Sequence, residues 1–345
     1  MYDVIVVGGG AIGLYLARQF AEKGSSVLLI EKKKKIGRKP CSGLVSSVIF
    51  EFINKNKCDF IENEFSKARI WIEKKFFDFT GKAFLLNREG LDKHFLKRAK
   101  KDGVRIHVKT EVIKITEKED KVEALLNSGE IVKGRILAGC DGAISKVARN
   151  LNLPRQRKLL LGVIGYQFKA NKESFTNNFP ELFFSKDFLG FFAWKIPRKQ
   201  NIEWGVALEP EEKPREKLEK LLKEKGIKIE RIASALIPLS PRRRTVTRRC
   251  FLCGDAAGQI KPATGGGLIY GLISARIASE VINPKNPNTP FYEEQWRKKI
   301  QREIILGSLL KKCYYLPSFL KKIGLLWLKN KKKLHQDRPS TIFTA

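Results

Sequence analysis

Apolar positions in the first thirty residues follow two rhythms. Tyr2–Val7 is a near-continuous apolar run of strand length, as expected for a parallel strand covered on both faces. Leu14–Lys23 spaces its apolar residues as a helix does, and Gly24 closes it. Ser26–Ile30 predicts a second strand, ending in Glu31. Strand, glycine-rich turn, helix and strand make a βαβ unit of the length that binds dinucleotides.

Further along, Lys39–Ser46 (KPCSGLVS) is a turn-rich loop leading into a helix. Ala68–Phe79 and Lys82–Leu86 predict strands, and Arg88–Lys101 a helix stopped by Gly103. Val104–Lys109, Glu111–Thr116, Lys121–Leu126 and Glu130–Ala138 predict strands, several in a meander that turns at Asn127–Gly129. Gly139–Leu151 is a loop and helix. From about Leu159 the pattern changes. Leu160–Ala170, Glu181–Phe184, Gly190–Ile196 and Glu203–Leu208 predict a second sheet. Glu212–Lys225 is a charged helix, and Ala233–Leu239 a strand returning the chain to its first part. Cys250–Cys253 is a short buried strand and Gly267–Val281 a helix of small and apolar residues. After a proline-rich joint, Pro284–Pro290, the remainder is helical and basic.

Composition changes this picture in two respects. First, 345 residues at 43% hydrophobic can bury a core of two connected lobes, which argues against disorder. Second, 68 Lys and Arg against 36 Asp and Glu leave a net charge of +32. That balance fits an anionic partner such as a membrane surface, a phosphorylated substrate or nucleic acid. A lysine-rich surface of a thermophilic or biased proteome fits it as well. The basic blocks Lys32–Lys35, Arg242–Arg244 and Lys331–Lys333 lack interleaved aromatics, so no nucleic-acid partner is expected. Six cysteines without framework spacing read as reduced thiols. With a strand starting at residue 2, no signal peptide is expected. No apolar run reaches ~18 residues; Ile304–Leu328 comes nearest and is broken by Lys311, Lys312, Lys321 and Lys322. A cytoplasmic, peripherally membrane-associated monomer is the expectation. Leu316–Leu328, with paired lysines and Trp327, has the make-up of a basic interfacial helix; a helix packed on the protein's own surface has it too.

Gly8, Gly10 and Gly13 form G-x-G-x-x-G with the strand before and the helix after. Gly8 permits the tight turn, Gly10 lets the backbone approach a pyrophosphate, and Gly13 allows helix and strand to pack closely. The helix start at Ala11 offers free N–H groups to phosphate. Glu31, 18 residues after Gly13 and followed by Lys32, stands where a carboxylate accepts ribose hydroxyls. NAD and FAD fit this grip equally, since both carry an ADP half. Cys253–Gly267 (CGDAAGQIKPATGGG) separates them: a carboxylate, Asp255, follows a buried strand among small residues, suited to a polyol and a pyrophosphate.

Gly254-Asp255-Ala256-Ala257-Gly258, with Pro262 and Gly265–Gly267, resembles the ribityl-binding motif of flavoproteins of the hydroxybenzoate-hydroxylase fold. Cys140-Asp141-Gly142, with Ser145 and Arg149, resembles the internal Asp-Gly motif of that group, and Arg88 its helix-start arginine. Within the group, Leu189–Pro197 (LGFFAWKIP) is similar to the Tyr-x-Trp-x-Phe-Pro segment of the geranylgeranyl reductase family. Phe192 stands for the tyrosine, Ile196 for the phenylalanine, and Trp194 and Pro197 match. Lys39–Gly43 resembles that family's cysteine-containing loop near the flavin, with Ser42 in place of a glycine.

The resemblance implies an α/β chain, α+β overall, with a Rossmann-like FAD-binding domain, an inserted antiparallel β-sheet domain for substrate and a C-terminal helical region. Residues 1–65, 85–158 and 240–285 would hold FAD. Residues 66–84 and 159–239 would bind substrate, and 286–345 form the basic helical region. The cofactor set comprises Gly8, Gly10, Ala11, Gly13, Glu31, Lys32, Cys41, Arg88, Asp141, Gly142, Gly254, Asp255 and Gly265, Gly266 and Gly267. Phe192, Trp194 and Pro197 would line an apolar wall for a prenyl lipid, though an alternating aromatic strand also suits ordinary core packing. Cys41 is the candidate catalytic residue, as proton donor or steric gate; a small buried cysteine is the plain alternative. The implied activity is saturation of prenyl double bonds by hydride and proton. A monooxygenase or halogenase of the same fold, or a flavin-bearing protein tethered to membrane or nucleic acid, are the alternatives. No second nucleotide-binding βαβ unit is evident, so the electron donor is unnamed. His94, His107 and His335 are isolated and make no metal set, and Cys250 and Cys253 are expected on opposite faces of one strand.

Overall fold

The computed structural model describes residues 1–37, 40–168, 178–329 and 337–340. β1 (Tyr2–Val7), α1 (Ala11–Glu22) and β2 (Val27–Glu31) form the expected βαβ unit. α1 starts three residues before the expected Leu14, because Gly10 is its N-cap and Gly13 already lies in its first turn. The chain then crosses to a second sheet for β3 (Leu44–Val45), β4 (Ile61–Ile72) and β5 (Lys75–Leu86). It returns through α2 (Arg88–Lys101), which Asn87 caps by accepting the Gly90 N–H at 3.0 Å. β6 (Arg105–Val108), β7 (Val112–Glu117), β8 (Val122–Leu126), β9 (Ile131–Gly139) and α3 (Lys146–Asn150) complete the first pass.

The second pass lays down β10 (Leu159–Phe168), β11 (Glu181–Phe184), β12 (Ala193–Pro197), β13 (Asn201–Leu208), α4 (Pro214–Glu224) and β14 (Arg231–Pro238). The expected end of its first strand, at Ala170, lies outside the described residues. β15 (Cys250–Leu252) then re-enters the first sheet. α5 (Leu268–Val281), α6 (Thr289–Trp296), α7 (Arg302–Lys312) and α8 (Ser318–Lys329) close the chain.

The first sheet runs β6-β2-β1-β9-β8-β7. β9 pairs with β1 in parallel along one edge, while its other edge takes β8 antiparallel at the start and β15 parallel at the end. Both faces are covered, as the apolar run of β1 requires. Val4 and Val6 enter a core with Leu14, Phe20 and Phe95; Ile5 and Val7 enter another with Leu28, Val122 and Leu137. Cys250 and Cys253 divide between these same two cores, as strand alternation dictates.

The second sheet runs β14-β10-β13-β12-β11-β4-β5-β3. Its neighbours are antiparallel except β4 with β11. It reaches beyond residues 66–84, since it takes in Leu44–Val45 and all of Ile61–Leu86. Three expected elements differ. Ala68–Phe79 is not one strand: the chain folds back at Glu73, which adopts φ 54 without a glycine or asparagine to announce it. The loop through Ser46 feeds β3 and a 3₁₀ turn rather than a full helix. The strand after α4 does return the chain to its first part, but it first pairs with β10 as an edge of the second sheet.

The opposed placement of Cys250 and Cys253 predicts that no bridge forms between them on mild oxidation of the native protein. Peptide mapping under denaturing, non-reducing conditions checks this; a Cys250–Cys253 bridge would contradict it.

Candidate active site

The turn after β1 is shaped by close approaches. Gly8 has φ +111, and a Cβ there would lie 2.4 Å from the Cys140 carbonyl oxygen. A Cβ on Gly13 would lie 1.9 Å from the Gly8 oxygen. Gly10 borders open space instead, with nothing within 4 Å of its Cβ position. No side chain caps α1 and no acid sits in its first turn. Its N–H groups and the positive end of its dipole are therefore available to an anion. Glu31 accepts the Gly9 N–H at 2.7 Å and the Lys33 N–H at 2.8 Å, which ties the turn to the end of β2. Each carboxylate oxygen keeps further acceptor capacity for a ribose hydroxyl. Ala11 is buried at the helix start, and Lys32 is exposed.

The second glycine run packs directly on the first. Ile12 of α1 lies over Gly254 and Gly271, where Cβ atoms would stand 3.2 and 2.7 Å from its side chain. Segments about 240 residues apart in sequence thus share one surface. Asp255 is tucked against Gly267, whose Cβ would lie 2.6 Å from Asp255 Oδ1. α5 begins there with no side-chain cap and no acid in its first turn, a second open helix N-terminus. Gly265 has φ +69, and Gly266 lies against the Lys261 side chain. Arg242, expected only as part of a basic block, is buried. Its Nε donates to the Ala256 oxygen at 2.7 Å and its Nη1 to the Pro154 oxygen at 2.5 Å, bracing the run from behind.

Asp141 sits at the end of β9. Its Oδ2 accepts the Val147 N–H at 3.1 Å, while its buried Oδ1 has no partner. Burial pushes its carboxyl up in pKa, against the hydrogen bonds from Ser145 and Val147. Gly142 beside it has φ +88 and borders open space. Two uncapped helix N-termini, an orphaned buried oxygen and glycines facing open space fit FAD in extended form.

The Cys41–Gly43 loop rests on the start of α2. Gly43 has φ +74, and a Cβ there would lie 2.3 Å from the Leu86 oxygen. Leu86 N–H donates to the Gly43 oxygen at 3.0 Å. Cys41 is a half-buried free thiol. Burial works against the charge of Arg88, but the Cys41 thiol and the Asp92 carboxylate outweigh it and raise its pKa. Arg88 Nη2 lies 3.3 Å from Asp92 Oδ1, and its Nε is buried without a partner. Lys39 lies outside the described residues.

The residues expected to form an apolar wall stand on the second sheet, where Phe191, Phe192 and Trp194 are buried in its core. Phe191 and Phe192 stack at 4.3 Å, and the Phe191 ring tip is 3.4 Å from the Cβ position of Gly265. Phe192 meets Trp194 edge-on at 6.2 Å. The Trp194 indole covers Gly205, where a Cβ would lie 2.3 Å from the ring. Pro197 is not brought to this wall: three residues on from Trp194 along one strand, it faces the other side of the sheet. Four residues that the sequence motifs did not single out stand here. Tyr314 donates to the Ala263 oxygen at 2.7 Å and packs on Phe184. Glu203 is fully buried and accepts the Trp194 Nε1–H at 2.9 Å. Arg198 pairs with Glu203 at 2.8 Å. Tyr166 lies opposite Glu203 in the β10–β13 register, and burial, helped by the Glu203 charge, pushes its phenol up to about 12. A lone acid in the apolar run of β13 was the one signal in the sequence.

Comparison with known proteins matches residues 1–275 to the FAD binding domain family. Digeranylgeranylglycerophospholipid reductase of Methanocaldococcus jannaschii is 30% identical over 327 residues, 87% of this chain and 83% of that protein. The protein of the same name from Methanothrix thermoacetophila is 27% identical over 90% of this chain and 87% of its own. Among solved structures, a geranylgeranyl bacteriochlorophyll reductase-like protein from Thermoplasma acidophilum superposes with TM-score 0.87 at 21% identity, covering 99% of this chain and 95% of that one. A probable FAD-dependent monooxygenase from Pseudomonas aeruginosa shares the fold at TM-score 0.73 and 17% identity, over 94% and 99% of the two chains.

Gly8→Ala places a methyl group against the Cys140 carbonyl at a strained φ. FAD retention, read from the visible spectrum of the purified protein and by titration of the apoprotein, is expected to weaken at least about tenfold, or 1.4 kcal/mol. Unchanged FAD affinity in a folded Gly8→Ala protein would contradict the assigned turn.

Proposed function

We infer that this chain, which belongs to the geranylgeranyl reductase family and is an FAD-dependent oxidoreductase, saturates double bonds of geranylgeranyl chains on archaeal-type isoprenoid lipids. The observation that carries this reading is the contact of Phe191, which stacks on Phe192 and through it meets Trp194, with Gly265 in the glycine run assigned to the cofactor. A broad apolar surface there would hold an extended prenyl chain and keep water from the reacting carbons. The names of the curated relatives point to the same substrate class. A monooxygenase or halogenase activity has likeness of fold alone behind it.

In this reading the first sheet with the two glycine runs holds FAD, and the second sheet binds the lipid. Gly8–Gly13 and the α1 N-terminus take the pyrophosphate, Glu31 the ribose, and Asp255 the ribityl chain. When bound and reduced, FAD supplies a hydride. The chain's own residues orient the alkene against the wall and supply the matching proton, so that each double bond gains H⁻ and H⁺. Cys41 Sγ is the proposed proton carrier. Arg88 lies beside it, and the neutral Tyr166 phenol is a second proton-bearing group facing the same polar cluster.

Cys41→Ala is expected to lower the rate of lipid reduction by about 10²-fold while FAD still binds. Anaerobic stopped-flow reoxidation of the dithionite-reduced protein by geranylgeranyl lipid measures it. Unchanged reoxidation would remove the role of the thiol. Absence of any reoxidation by unsaturated lipid in the wild type would overturn the substrate class.

The lipid would be met at a bilayer surface. Among the described residues no helix is long and apolar enough to cross a membrane. α8 instead exposes Phe319, Ile323 and Leu326 at 62, 59 and 53%, one stripe at helical spacing, with Lys321 and Lys322 alongside. A groove of about 490 Å³ between α8 and the tip of the β4–β5 hairpin is lined by Lys74, Lys75, Phe76, Phe77, Lys322 and Leu326. The segment from Phe291 onward carries 13 Lys and Arg against 4 Asp and Glu, so anionic head groups suit it. The Trp327 side chain, expected at this boundary, lies outside the described residues. Phe319→Ser with Ile323→Ser is expected to cut co-sedimentation with anionic phospholipid vesicles at least about tenfold, and salt to weaken wild-type binding. Wild-type levels of vesicle binding by the double variant would count against this surface.

A further inference from the structure

We propose that Arg198 is a positioning residue that holds the Cys41 loop in register with the Trp194 wall. Arg198 follows β12 in a tight hairpin, its own N–H donating to the Asn201 oxygen at 2.8 Å. Its guanidinium is 10% exposed and serves four separate parts of the chain. Nη1 donates to the Ser42 carbonyl at 2.7 Å, one residue from Cys41, and to Glu203 Oε2 at 2.8 Å. Nη2 reaches the Leu86 carbonyl at 3.3 Å, at the end of β5 just before the cap of α2, and Nε lies 3.1 Å from Glu62 Oε2. The other oxygen of Glu203 holds the Trp194 indole. One buried ionic unit therefore sets the thiol-bearing loop, the start of the helix that carries Arg88, and the ring of the proposed lipid wall.

The opposite face of the same strand supplies an internal comparison. There Lys195 pairs with Glu181 at 2.8 Å, and Glu181 accepts the Trp71 Nε1–H at 2.7 Å. Both units consist of a tryptophan, a buried glutamate and a cation, and both brace the sheet. The cations differ in reach. Lys195 bonds within the second sheet, whereas the planar fork of Arg198 reaches past the end of β5, at the Leu86 carbonyl, to the Ser42 carbonyl on the loop. A unit needed only for sheet stability has no use for the Ser42 carbonyl. Glu203 also suffers for its place, since burial pushes its carboxyl up while Arg198 pulls it down. That arrangement makes sense for a charge that orients a neighbour.

The consequence for turnover rests on the reductase reading; the effect on the loop does not. The test is the rate of Cys41 alkylation by iodoacetamide in FAD-loaded protein, read by peptide mass spectrometry, with Arg198→Met, Arg198→Lys, Glu203→Gln and Lys195→Met compared. Arg198→Met is expected to speed alkylation at least about tenfold as the loop opens locally. Glu203→Gln should raise it by less, and Arg198→Lys should restore part of the protection. Lys195→Met should lower the melting temperature yet leave the Cys41 rate within about twofold of wild type. If Arg198→Met does not fold, Arg198→Lys and Glu203→Gln carry the test on the same readout. In lipid reduction, Arg198→Lys should lower kcat more than it raises KM, because it disturbs alignment rather than the wall. Wild-type Cys41 reactivity in folded Arg198→Met, or, where that variant does not fold, in both Arg198→Lys and Glu203→Gln, overturns the proposal, as does equal acceleration by Lys195→Met. If prenyl lipid is not reduced at all, the alkylation rates still decide the role of Arg198.

Discussion

The contact of Ile12 with Gly254 and Gly271 is the constraint on which the rest of this molecule depends. It lets α1 and α5 approach more closely than side chains would allow, and so brings two helix N-termini, each without a capping side chain, to one place. Uncapped N–H groups at the carboxyl end of a sheet are costly unless solvent or a ligand satisfies them. Their pairing makes sense for a doubly negative pyrophosphate with a polyol beyond it. Arg242, buried behind the second run, holds its carbonyls in the orientation that this approach needs.

From that contact the two sheets take different work. The first is a scaffold with a core on each face, and its loops at the carboxyl ends of β1, β9 and β15 carry the acceptors and glycines. The second sheet turns one face toward those loops. Ile237 and Phe191 touch Gly265, and Arg198 reaches Ser42 and Leu86. Aromatic rings and one buried ionic unit share that face. On the proposed function, an apolar chain and a polar proton path would meet there away from bulk water.

Much of the geometry of the glycine-rich turn after β1 was legible in the sequence because it depends on backbone. Gly8 is needed where φ is +111 and a carbonyl lies 2.4 Å from its Cβ position, and no tertiary context can relax that demand. Strand alternation placed Cys250 and Cys253 on opposite sides for the same local reason. The misses came where the deciding partner is distant or the local residue is atypical. Glu73 turns a hairpin with a positive φ that side-chain type does not announce. Arg242 reads as one of three surface arginines, yet its partners are the carbonyls of Pro154 and Ala256. Arg198 and Glu203 gain meaning only from Ser42, Leu86 and Trp194, each on a separate segment. Pro197 matched a motif but, by alternation along β12, points away from Trp194.

The edge of β9 that is divided between β8 and β15 has a bearing on biosynthesis. β8 arrives immediately before β9, but β15 is translated more than a hundred residues later, after the whole second pass of the other sheet. A nascent chain can pair β1, β2, β8 and β9 early, yet it leaves the carboxyl half of one β9 edge bare while β10 to β14 are made. The surface under Ile12 is equally bare until Gly271 has left the ribosome. A cofactor held by both glycine runs can therefore be gripped at both ends only once the chain through Gly271 has been made.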